Sequence, residues 1–175
     1  RNTINLDSKK NKMENVLKKV ALSLEILGKN YLTGQEYNEL VSKSENRELL
    51  SYSSLLRKSD NGNYSFIHNN FGEYLAAKKI SEYDLETIKE IVTYENLKSK
   101  IKPSWVNTLS FVVNKYKKAE IVSWIISCMP EFIVYIETDV ISIEKRKKIL
   151  RILLNEYNSK RLWLPYNIST NNLIS

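Results

Sequence analysis

The chain has one cysteine, one histidine, three prolines and four glycines among its 175 residues. A single thiol, Cys128, forms no internal disulfide, and with one imidazole beside it the chain lacks the ligands for a structural zinc. So few glycines and prolines exclude a turn-rich β-sandwich. No apolar run approaches the ~20 residues that span a bilayer, and no charged segment followed by an apolar one opens the chain as in a secretory signal. No G-x-x-x-x-G-K-[ST] motif occurs, since Gly28, Gly34, Gly62 and Gly72 are scattered, and no strand ends in paired acids. By itself this stretch is expected not to hydrolyse ATP.

What is present is a helix-rich, globular composition: 42% of residues are hydrophobic, 27% are charged, and Lys, Glu, Leu, Ile and Asn fill the periodic segments. The net charge of +7 favours anionic partners. Its distribution tempers that, because the runs "KKNK", "LKK", "NKYKK" and "EKRKK" are spread over the chain and each reads as a solvated helix face. The absence of a signal implies a cytoplasmic location. The triplets Asn63-Tyr64-Ser65 and Asn167-Ile168-Ser169 are chance matches to a glycosylation pattern in an Asn- and Ser-rich chain. A polar lead, "RNTINLDSKKNK", without an initiator Met reads as the start of a segment cut from a longer protein.

Apolar spacing of three and four residues predicts a first helix through Met13, Val16, Leu17, Val20, Ala21, Leu24 and Leu27, with Gly28 as its C-terminal cap. Thr33 and Glu36 form a capping-box pattern for a second helix that buries Tyr37, Leu40 and Val41. A third helix is expected within Ser44 to Lys58, its last residues either helical or extended. Asp60-Asn61-Gly62-Asn63 then makes a tight turn between Leu55-Lys58 and Tyr64-Ile67, giving a small β-hairpin. A fourth helix follows, with Asn70 as its cap and Glu73 reaching back to it. Three helices and a hairpin are the order of a winged helix.

Beyond it, Leu85, Ile88, Ile91 and Val92 form one stripe, "ENLKSKIK" is a break, and Pro103 suits the first turn of the next helix. Trp105 to Val113, Ile121 to Cys128 and Ser142 to Tyr157 read as helices, and Pro130 to Ile136 is ambiguous between helix and strand. The predicted fold is mainly α: a polar lead or linker at 1–12, a winged helix with a small β-hairpin at 13–80, a helical domain at 81–160 built as an α-helical bundle or stacked helical hairpins, and a tail at 161–175. Trp105, Trp124, Trp163 and Cys128 are expected in packing roles.

The stretch "YSFIHNNFGEYLAAKKI" resembles the signature near the end of the winged-helix domain of NACHT-type signalling NTPases, the class of Nod-like receptors and bacterial antiviral homologues. That signature is close to F-x-H-x-x-F-x-E-Y-x-A-A. Phe66, His68, Phe71, Glu73, Tyr74, Ala76 and Ala77 fall in register with it, and "IKPSWVNTLSFVV" is similar to the segment that follows the domain. The resemblance covers roughly Leu24 to Asn114. Gly72 departs from it, since the family often has Gln there.

In that family the histidine contacts the β-phosphate of bound ADP in the closed, resting state, and this implies a nucleotide-sensing role for His68. The resemblance further implies an NTPase core in the same chain, binding ADP or ATP with Mg, a C-terminal sensor region, homo-oligomerisation on activation and antiviral or stress signalling. The chemistry is compatible: an imidazole N–H donates to phosphate, and a helix N-terminus beside it attracts an anion. The competing reading of His68 is packing against the wing. Phe66, Phe71, Tyr74, Ala76 and Ala77 are read as core, Glu73 as a cap, and no residue as catalytic or metal-ligating.

Two other functions compete. One is a DNA-binding winged-helix transcriptional regulator with a helical dimerisation or ligand domain. Its third helix would offer Arg47, Arg57 and Lys58, but it also carries Glu45 and Glu48 where a groove would be entered. The other is a helical interaction scaffold with no nucleotide role.

Overall fold

The structure is a computed structural model that describes residues 2–160. The predicted tail at 161–175, with Trp163 and the Asn167 triplet, lies outside the described residues. The chain divides into two compact units, residues 1–84 and 85–175. It is mainly helical, a winged helix followed by a helical region.

The first unit opens with α1 (Asn2–Leu27). The helix therefore includes most of the stretch read as a polar lead at 1–12. Lysine is a good helix former, and tertiary ion pairs hold the N-terminal half: Lys12 reaches Glu45 at 2.8 Å, and Glu14 pairs with Lys78. At the other end the Lys29 amide bonds the Leu24 carbonyl (3.0 Å) and the Gly28 amide bonds that of Glu25 (3.2 Å), a Schellman closure with Gly28 at φ +62°.

Thr33 and Glu36 form the predicted reciprocal capping box of α2 (Gly34–Leu40), and Glu36 also accepts from Lys29. Tyr37 and Val41 are buried as expected, but Leu40 is 39% exposed. The short helix is anchored on one narrow face and leaves Leu40 outside it. Next, α3 (Ser44–Ser51) stops well before Lys58, so that Leu56–Lys58 forms β1.

Antiparallel pairing with β2 (Tyr64–Phe66) sets Leu56 opposite Phe66, Arg57 opposite Ser65 and Lys58 opposite Tyr64. Leu32 adds a one-residue third strand, exchanging two 2.8 Å backbone bonds with Tyr64. The Tyr64 ring stacks on Tyr37 with centroids 3.7 Å apart, which joins the wing to α2. Then α4 (Asn69–Ile80) lies along α1, where Ala76 and Ala77 are buried and allow close approach. The core gathers Leu17, Val20, Leu24, Leu32, Tyr37, Leu50, Phe66 and Leu75. The unit extends past Ile80 because Glu82 pairs with Lys18 of α1. Lys18 is itself buried, so the "LKK" run is not wholly a solvated face.

The second unit begins with α5 (Leu85–Val92). The "ENLKSKIK" break is in fact a second hairpin, β3 (Thr93–Tyr94) and β4 (Leu97–Ile101), anchored by the buried Thr93 and Ile101. Pro103 opens a 3-10 turn that carries the buried Trp105 into α6 (Val106–Tyr116). After α7 (Ala119–Cys128), the ambiguous stretch Pro130–Tyr135 is a 3-10 helix, and α8 (Ile143–Lys160) closes the described chain.

Two polar side chains fix the bend between these last elements. Asn114 of α6 donates to the Tyr135 carbonyl (2.8 Å) and accepts from the Glu137 amide (2.9 Å). Arg146 of α8 donates to the carbonyls of Ile133 (2.9 Å) and Ile136 (2.6 Å). The predicted solvated face "EKRKK" thus has an exception: Lys145, Lys147 and Lys148 are exposed, whereas Arg146 is 6% exposed.

Candidate functional site

Only Ile67 and His68 join the hairpin to α4, and this places the histidine. Pairing persists past Phe66, since the Ile67 amide bonds the Leu55 carbonyl at 3.0 Å. His68 continues the extended path (φ −146°, ψ 135°) and is the N-cap residue of α4. Its side chain makes no capping bond, and the Phe71 amide bonds its carbonyl at 3.1 Å. His68 is exposed.

The expected cap is corrected here. The helix starts at Asn69 with His68 as its N-cap, two residues early, so Asn70 lies inside the first turn and Glu73 lies too deep to close a capping box. The other motif residues divide between core and surface. Phe66, Ala76 and Ala77 are buried and Tyr74 packs at the margin of the core, but Phe71 is 42% exposed and is not a core residue. Phe66 occupies the interior position next to α4 instead. A Cβ on Gly72 would lie 3.1 Å from the Phe66 ring, so glycine lets the ring close against the helix. A side chain at this position would require the Phe66 ring to give by a few tenths of an ångström.

His68 lines an open cleft of about 590 Å³ between the wing and the start of α4. Its walls come from three places: Asn30 and Tyr31 before α2, Arg57, Ser59, Asn63 and Ser65 of the hairpin, and the run from Phe66 to Asn70, in which Phe66 and Ile67 are apolar. No Asp or Glu is among its lining residues, whereas the chain has 20 acids. The cleft is thus a donor-rich, positively biased surface, with hydroxyls, amides, an imidazole, a guanidinium and an uncapped helix N-terminus. Donors of these kinds are suited to a hydrated anion.

Arg57 and Ser65 are the site residues that motif reasoning missed. Their signal is the register of the hairpin, in which Arg57 and Ser65 form the rung next to the Leu56–Phe66 pair. The α3 helix is differently engaged: Arg47 donates to the carbonyls of Val41 (2.7 Å) and Ser42 (2.8 Å), and Glu45 holds Lys12. Of the residues assigned packing roles, Trp105 is fully buried, while Cys128 and Trp124 are only half-buried.

Among the described residues no group of three His, Cys, Asp or Glu side chains is arranged to hold a metal ion, and no helix is long and apolar enough to cross a membrane. No protein-family model, curated protein or solved structure matches the chain.

Proposed function

We propose that this chain is the regulatory part of a NACHT-like signalling NTPase, in which the winged helix holds a closed state by contacting the phosphate of bound ADP through His68. The observation that carries this reading is the exposed His68 at the uncapped start of α4, within a cleft that lacks carboxylates. An imidazole N–H and helix amides are donors suited to a phosphoryl oxygen.

The NTPase core belongs to the same longer chain and binds ADP or ATP with Mg. The segment described here contributes no catalytic residue. The second unit relays the nucleotide state toward a C-terminal sensor, and exchange of ADP for ATP releases the winged helix for homo-oligomerisation. The setting is the cytoplasm, and antiviral defence is the role that the motif resemblance implies.

The test is His68→Ala in the longer chain. Loss of a charge-assisted bond of about 1.5–3 kcal/mol weakens ADP retention by roughly 10- to 150-fold, and the variant oligomerises without its trigger while its circular dichroism stays native. A folded variant with unchanged ADP affinity and no basal oligomer rejects the latch. The sequence preceding this segment should also carry a phosphate-binding G-x-x-x-x-G-K-[ST] loop. The DNA-binding alternative has less support, because Arg47 is bonded to backbone carbonyls and Glu45 is prominent on α3.

A further inference from the structure

Resting on that reading of His68, we infer that the same cleft takes a diphosphate at two points: the Arg57 guanidinium on β1 and the His68 imidazole at the start of α4. The shared cleft carries the argument. Arg57 stands opposite Ser65 in the ladder, and both line one cleft with Phe66, Ile67 and His68. His68 stands two residues past the end of β2, at the start of α4, and Arg57 and His68 are both exposed.

Arg57 is exposed and has no carboxylate partner among the described residues, and no acid lines the cleft to neutralise it. A guanidinium presents a planar fork of donors that engages two oxygens of one phosphoryl group. His68 and the first amides of α4 then serve the adjacent group. A single phosphate satisfies one of these points, whereas a diphosphate satisfies both. The hairpin, and not the helix terminus alone, makes the cleft selective for the longer anion.

The experiment is an amide-resolved NMR titration of the whole 175-residue chain with inorganic pyrophosphate and, separately, inorganic phosphate at constant ionic strength. The amides of Arg57, Ser65, His68 and Asn70 shift together and saturate, with pyrophosphate bound about tenfold more tightly than phosphate. Arg57→Gln removes that difference. Lys148→Gln, which deletes the same charge from exposed α8, leaves it intact. Both substituted positions are exposed, so the variants keep the native spectrum elsewhere.

Equal affinity of Arg57→Gln and the parent chain overturns the two-point site. If His68→Ala still weakens binding in that case, the reading of His68 survives. Loss with Arg57→Gln but none with His68→Ala overturns both. Absence of saturable shifts with pyrophosphate, or shifts only with duplex DNA, overturns the inference and leaves the latch to the ADP-retention test in the longer chain.

Discussion

Arg146 is 6% exposed and forms no ion pair among the described residues; its guanidinium is bonded instead to the carbonyls of Ile133 and Ile136 at the end of a 3-10 helix. Desolvation draws its pKa below the ordinary arginine value, and the two carbonyls, at the negative end of that helix, supply the compensation. The side chain therefore works as a C-terminal cap delivered from a different helix. Arg146→Met keeps the apolar stem but removes both bonds, leaving the Ile133 carbonyl only the Ile136 amide (3.3 Å) and the Ile136 carbonyl without the guanidinium, and an expected loss of about 2–4 kcal/mol is read from urea unfolding. Arg146→Lys recovers only part of it, since an ammonium lacks the fork that spans two carbonyls. Equal stability of all three forms would show that the bend is held by Asn114 alone.

At the scale of elements, local chemistry and tertiary contact divide the work. The Schellman closure at Gly28 and the capping box of α2 are complete within a few residues each, and both stand where their sequence patterns place them. Glu36 of that box has its pKa lowered from the ordinary 4.5 to about 2, first by the hydrogen bond from Lys29 and then by those from Thr33. Because the folded-state value is the lower one, the stabilisation is complete above pH 4.5 and is lost as pH falls through about 2. Thermal melts between those limits should therefore show a steeper loss for the native chain than for Glu36→Gln; parallel slopes would remove Glu36 as the cause. Thr33→Ala should cost about 1 kcal/mol near neutral pH.

The α4 terminus went otherwise. Hydrogen bonding past Phe66 carries extended backbone to His68, and the helix then begins at Asn69, ahead of its apparent Asn cap. The β3–β4 hairpin was equally hard to read, because Ser99 breaks the apolar alternation between Leu97 and Ile101 and only Ile101 of these is buried.

For the whole molecule, the +7 charge is scattered, and part of it is engaged: Lys12, Lys18, Lys29, Lys78 and Lys117 each pair with an acid. Duplex DNA should bind weakly, with an affinity that falls steeply with salt and no sequence preference. A preference of about 100-fold for one sequence, short of the 1,000-fold or more usual for dedicated regulators, would already favour the transcriptional alternative.

What the sequence alone determined is what is local: apolar spacing along α1, the Gly28 and Thr33 caps, the turn residues of the wing, and the dense motif around His68. These depend on neighbours within a turn or two, so their physics is written in adjacent residues. The tertiary structure decided which polar groups are buried and which face the cleft. Lys18 finds Glu82 64 residues away, Arg146 finds carbonyls 13 and 10 residues back, and Arg57 enters the site only through its register opposite Ser65. A charged side chain has no intrinsic periodic preference that reveals such a partner. Its burial is settled only when distant backbone brings the compensating atoms within hydrogen-bond reach.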